Sequence, residues 1–135
     1  MRILYIDVFS LLRSKSDSID IESAHKLAKA AEEANLMLYP TLSKYTRGWL
    51  VENKVFDSNI LAPDSTTSRS SRLDDSHPVR HLRAHAHALS VSHWWVCGDF
   101  SGDELLADYR DRYLSSRYGA GVTDELTDKI RLLKS

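Results

Sequence analysis

The chain opens on Arg2-Ile-Leu-Tyr-Ile-Asp-Val8, a run of aliphatic and β-branched residues without a turn former. Such a run predicts a strand buried on both faces, as in the centre of a parallel sheet. Side chains alternate along a strand, so Leu4 and Ile6 should enter one core and Ile3 and Tyr5 the other. A polar stretch from Arg13 to Ser18 follows. Asp20 then offers an N-cap, and Ala24, Leu27, Ala28, Ala31 and Ala34 recur at helical spacing until Asn35, a C-terminal stop. Leu36-Met-Leu-Tyr39, closed by Pro40, reads as a second strand. Strand, helix and strand in succession form a βαβ unit with a right-handed crossover.

Leu42, Tyr45, Trp49 and Leu50-Val51 predict a helix across Thr41 to Asn53, interrupted at Gly48, and Val55 to Leu61 reads as a short strand. Asp64 to Ser76 contains Ser-Thr-Thr-Ser-Arg-Ser-Ser with no apolar period, which predicts a mobile loop near 64–76. Asp75-Ser-His-Pro78 opens a further helix whose apolar face is Val79, Leu82, Ala86 and Leu89. Trp94-Trp-Val-Cys97 is a third buried strand, ending at Gly98-Asp99. Asp103 to Ser116 is either a helix or, at Arg112-Tyr-Leu-Ser115, a last short strand. Gly119-Ala-Gly121 reads as a tight turn, and Thr123 caps a terminal helix carrying Leu126, Ile130 and Leu133 on one face. The alternation predicts one α/β domain over residues 1–135, a small three-layer Rossmann-like fold with a parallel sheet of four or five strands.

Composition narrows the class. With 42% hydrophobic and 27% charged residues, the chain is globular rather than disordered, collagen-like or coiled-coil. Eighteen Lys and Arg against nineteen Asp and Glu leave a net charge of -1, so no global field attracts nucleic acid or an anionic membrane. Nucleic acid is not excluded, because Arg69, Arg72, Arg80, Arg83 and His87 are locally basic, although Asp74 and Asp75 balance them. The single Cys97 excludes an internal disulfide and a Cys-based zinc knuckle, and reads as a buried structural thiol. No apolar run approaches the ~20 residues of a membrane span. The first residues lack the long apolar core and small-residue cleavage site of a signal peptide. A soluble cytoplasmic domain is the expectation.

In an open parallel sheet, ligands bind beyond the carboxyl ends of the strands, at the switch point. Asp7, Thr41 and Asp99 follow the first three predicted strands. Two carboxylates at adjacent strand ends repel unless a cation sits between them, so Asp7 and Asp99, roughly 3–6 Å apart, would suit Mg²⁺; otherwise each caps a following turn. His77, His81 and His85 are spaced by four, a spacing that can hold zinc. A helical wheel sets this stripe opposite Val79, Leu82 and Ala86, which predicts a solvated outward face, with a weak metal site or a pH-dependent partner surface as the alternative. Trp94 and Trp95 must face opposite ways, so at least one is core. Gly119-x-Gly121 lacks the third glycine and the preceding long strand of a dinucleotide fingerprint.

Ile3-Leu-Tyr-Ile-Asp-Val-Phe-Ser-Leu-Leu12 resembles the first motif of the haloacid dehalogenase (HAD) superfamily, a hydrophobic strand followed by Asp-x-Asp-Gly-x-Leu. Trp94-Trp-Val-Cys-Gly-Asp-Phe100 resembles its acidic fourth motif. The stretch from Asp111 to Glu125 is similar to the closing segment of small bacterial and phage HAD-like domains, namely the HAD domain associated with Swiss Army Knife RNA-repair systems. The resemblance implies Asp7 as phosphoryl-accepting nucleophile, Thr41 as the second-motif hydroxyl and Arg80 (or Arg83) as the phosphate-binding cation. It also implies Mg²⁺ on Asp7, the Phe9 carbonyl and Asp99. The family's second Asp, its general acid and base, is replaced here by Phe9, and the following Gly by Ser10. A phenyl ring transfers no proton, and losing such a group typically costs ~10²–10⁴ in rate. The expected function is therefore a degenerate HAD-like domain, a pseudoenzyme that acts as a binding or inhibitory protein toward an unidentified protein partner or a phosphate-bearing ligand. One alternative is a Mg²⁺-dependent phosphohydrolase in which Asp99 or Asp103 replaces the missing acid. A more distant one is a PIN-like metal nuclease, which needs three or four converging acids.

Overall fold

The computed structural model describes residues 2–12, 19–41, 45–64, 82, 85–98, 113–115 and 122–133. Its centre is β1 (Arg2–Ile6), where Ile3, Leu4, Tyr5 and Ile6 are all fully buried. The alternation has the expected consequence. Leu4 and Ile6 join one core with Leu27, Leu38 and Cys97, whereas Ile3 and Tyr5 join a second with Tyr39, Trp94 and Val96. Apolar side chains on both faces require cover on both faces, the condition of a parallel sheet.

The chain leaves β1 sooner than the apolar run implies. Val8 begins α1 (Val8–Leu12), and the Leu11 N–H donates to the Asp7 carbonyl at 3.0 Å. Helix α2 (Ile21–Glu33) is capped as read, since the Asp20 carboxylate accepts from the Ser23 N–H at 3.2 Å and from its hydroxyl at 2.8 Å. Ser23 Oγ also accepts the buried Val122 N–H at 3.3 Å, so the cap ties α2 to the start of the last helix. Asp20→Ala is therefore expected to cost about 1 kcal/mol in urea unfolding. A midpoint equal to wild type would remove the cap from the stability of α2. Asn35, at φ 58°, ends the helix in the left-handed region.

Strand β2 (Met37–Pro40) and β3 (His93–Gly98) flank β1, and β4 (Tyr113–Ser115) lies outside β3. All pairings are parallel, in the order β2-β1-β3-β4. The expected α/β Rossmann-like sheet is thus four-stranded, and at residues 113–115 the strand reading holds. The short strand read at Val55–Leu61 reduces to one parallel bridge, Leu38 to Leu61. Turn formers Asp57, Ser58 and Asn59 interrupt the segment, so Val55 and Phe56 are buried from a turn and not from a ladder. The helix read over Thr41 to Asn53 is shorter: α3 (Arg47–Glu52) is capped by Thr46 and includes Gly48.

Helix α4 (Asp124–Arg131) starts at the Thr123 cap and buries Leu126 and Ile130 beside α2. Helices α1, α2, α3 and α4 feed the first core, while Leu82 and Ala86 cover the second, giving three layers. Arg2 braces one end of this stack. Its guanidinium donates to the carbonyls of Ala34 and Leu133 and lies 5.2 Å above the Trp95 ring. Trp94 is core on one face and Trp95 half-buried on the other, as adjacent strand positions require. The loop read at 64–76 beyond Asp64, the opening turn at Asp75–Pro78 and the Gly119–Gly121 turn lie outside the described residues. No helix among the described residues is long and apolar enough to cross a membrane.

Candidate functional site

At the carboxyl edge of the sheet, Ile6 pairs with Pro40 on one side and Cys97 on the other. Parallel register therefore sets Asp7 between Thr41 and Gly98. The backbone holds it there: the Thr41 N–H donates to the Ile6 carbonyl at 2.8 Å, and the Asp7 N–H to the Cys97 carbonyl at 2.9 Å. The strand order also reverses here. The chain runs from β1 to β2 on one side, and β3 and β4 follow on the other. Asp7 consequently stands at the switch point, where open α/β sheets bind ligands.

Asp7 is half-buried, and Thr41 is only 4% exposed. Asp7 is the residue before α1, and its carbonyl accepts the first bond of that helix, from the Leu11 N–H. Its charge reaches inward. Cys97 is fully buried, and burial pushes its thiol up to about 12, with the Asp7 carboxylate adding to the rise. Cys97 is therefore a structural thiol in this fold and not a nucleophile.

The residues read from the sequence divide unevenly. Asp7 and Thr41 come together. Phe9 lies in the first turn of α1, two residues after Asp7. Arg80 and Asp99 lie outside the described residues; Gly98, opposite Asp7, directly precedes Asp99. Among the described residues no three His, Cys, Asp or Glu side chains gather as a metal site. The described donor set at the rim is a single carboxylate. Mg²⁺ held there would need further oxygen ligands from water, phosphate or the neighbouring chain.

The histidine stripe is corrected at His85. It was expected on the outward face and is fully buried, with Nδ1 2.8 Å from the Tyr5 hydroxyl and Nε2 2.9 Å from the Pro63 carbonyl. Positions spaced by four drift about 40° per step around a helix. His85 accordingly reaches the flank of the face set by Leu82, Ala86 and Leu89. His77 and His81 lie outside the described residues.

Two groups near the outer end of the rim had no sequence signal. The Tyr39 hydroxyl donates to Asp64, and Arg47 Nε donates to the Ala62 carbonyl at 2.8 Å. Both are tertiary contacts across 15 residues or more, and no local pattern encodes them. A separate cleft of about 420 Å³ opens between α2 and residues 54–60, lined by His25, Glu32, Lys54, Phe56 and Asp57. Its charged side chains are all exposed, and it includes neither Asp7 nor Thr41.

No family model, curated protein or solved structure matches the chain. The functional reading rests on the geometry of the chain itself.

Proposed function

We propose that this chain is a degenerate HAD-like domain, a pseudoenzyme that binds a protein partner or a phosphate-bearing ligand at the switch-point rim centred on Asp7. The observation that carries the reading is the position of Asp7 at the carboxyl end of the central strand, beside Thr41, followed directly by a helix containing Phe9. Among the described residues, the rim sets the half-buried Asp7 carboxylate beside the buried Thr41. Position 9, where the HAD family carries its acid and base, has no group that moves a proton. A Mg²⁺-dependent phosphohydrolase is the second reading, favoured by the pairing of Asp7 with a buried Thr at the next strand end. In that reading Asp99 supplies the second carboxylate. A PIN-like nuclease would need at least two acids at the rim beyond Asp7.

Activity separates the readings. The unmodified protein should hydrolyse p-nitrophenyl phosphate at background level with Mg²⁺ present, and Asp7→Asn should change nothing. An intact acid and base would have given ~10²–10⁴ more. Inorganic phosphate or Mg²⁺ titrated into labelled protein should shift the amides of Asp7, Thr41 and Gly98 ahead of all others. Robust Mg²⁺-dependent turnover that disappears in Asp7→Asn would overturn the pseudoenzyme in favour of the phosphohydrolase.

A further inference from the structure

We propose that the cleft between α2 and residues 54–60 binds a free α-amino acid with an apolar side chain, whose carboxylate meets Lys54 and whose ammonium meets Glu32 and Asp57. The cleft, of about 420 Å³, has the size of a small-ligand site. Its α2 wall follows from helical spacing: His25, Ala28 and Glu32 stand three and then four residues apart, on one face of the helix. The half-buried Ala28 and Ile60 and the buried Val55 and Phe56 give the cleft an apolar lining. An apolar lining with a few charged groups around it is the usual composition of such sites.

The opposite wall is fixed by the chain itself. The Val55 N–H donates to the Leu50 carbonyl at 2.9 Å and the Lys54 N–H to the Val51 carbonyl at 3.1 Å, the pair of bonds that closes a helix through one left-handed residue. That residue is Lys54, at φ 58°. Glycine takes this conformation freely, whereas a residue with a Cβ is strained in it. Further along, the Ile60 N–H donates to the Asp57 carbonyl at 3.2 Å, and Arg47 Nη2 to the Ser58 carbonyl at 3.2 Å. The turn therefore holds a lysine where its backbone favours glycine, and that lysine lines the cleft.

The charges select the ligand. Among the described residues the ion pairs are Lys26 with Asp124, Lys129 with Glu125, and Arg131 with Glu33 and Asp128, so Glu32, Lys54 and Asp57 enter none of them. Nor do three His, Cys, Asp or Glu side chains among the described residues gather as a metal site, which favours an organic ligand over a bare cation. A simple anion would gain Lys54 but face two carboxylates. A simple amine would gain the carboxylates but face Lys54. A zwitterion is attracted by all three, and an apolar side chain on it covers the lining. Ion pairs between exposed groups are each worth at most about fivefold in affinity, so the site is weak and selects by its pattern of charge.

The test is a titration of L-phenylalanine into labelled protein. The amides of Ala28 and of Lys54 to Asp57 should shift saturably, and those of Asp7 and Thr41 should not move. Hydrocinnamate, which lacks the ammonium, and phenethylamine, which lacks the carboxylate, should each bind about fivefold more weakly. Lys54→Gly should lose about the same factor toward L-phenylalanine, and Lys54→Arg should keep its affinity. Glycine is favoured at this φ, so Lys54→Gly should match or exceed the wild-type urea midpoint, and its weaker binding is then not a loss of fold. No saturable shift at these amides, or a singly charged probe that binds as tightly as L-phenylalanine, would overturn the site. So would wild-type affinity in Lys54→Gly.

Discussion

Tyr5→Ala is expected to remove about 3–5 kcal/mol of stability, and Tyr5→Phe about 1–2 kcal/mol. Tyr5 is fully buried at the centre of β1, paired to Tyr39 on one side and Val96 on the other. Its ring meets Tyr39 at 6.1 Å, His85 at 5.5 Å and Trp94 at 5.9 Å, all edge-to-face. Truncation to Ala empties a space that three other aromatic residues cannot fill, because each is itself held in a strand or by hydrogen bonds. Cavity and lost transfer energy therefore add. The Phe variant keeps the ring and removes only the hydroxyl that meets His85 Nδ1. Domains of this size are stable by about 5–15 kcal/mol, so the Ala variant should sit close to unfolding and the Phe variant should not. Urea unfolding followed by tryptophan fluorescence measures both. Equal losses in the two variants would mean that the hydrogen bond, and not the ring, carries the second core.

The features that could be read in advance share one property: each depends on near neighbours in the chain. The two faces of β1 follow from alternation at Ile3, Leu4, Tyr5 and Ile6, and the caps at Asp20 and Thr123 follow from a side chain reaching an amide three residues on. Asp7 and Thr41 were legible because a polar residue directly after an apolar strand marks its carboxyl end. Helix α1 was not legible. Val8, Leu11 and Leu12 are all buried, and five residues are too few to tell a helical period from a continuing strand. The misplacement of His85 arose from treating a stripe spaced by four as a straight line, when a turn of 3.6 residues carries its members around the helix. Arg47 and Asp64 take their partners from residues 15 and 25 positions away, a separation that pattern cannot reach. The site is half legible for the same reason. Its strand-end residues are local facts, and its remaining candidates, Arg80 and Asp99, belong to segments beyond the described residues.

Alkaline pH should expose the buried side of the rim. Burial, and after it the Asp7 carboxylate, raise the Cys97 thiol from 9.0 to about 12. At pH 8 the folded protein then holds about 10³ times less thiolate than an unfolded chain, so iodoacetamide should label Cys97 at least that much more slowly in buffer than in urea. The consequence for stability has a definite sign. The unfolded thiol loses its proton first, so the contribution of the protonated, buried form is complete below pH 9 and is lost as pH rises toward 12. The loss is about 1.36 kcal/mol per unit, or about 4 kcal/mol across that window. Tyr5 and Tyr39 act in the same direction, since burial holds both phenols above their ordinary value of 10.0. Cys97→Ala, which creates only a small cavity, should therefore unfold at a higher pH than expected from its neutral stability, with a shallower decline between pH 9 and 10 where the tyrosines do not yet contribute. Asp7→Asn removes the second cause and should speed labelling of the folded thiol modestly, linking the charge at the rim to the core beneath it. Labelling in buffer at the urea rate, or parallel alkaline declines in wild type and Cys97→Ala, would show that Cys97 is not sealed beneath Asp7.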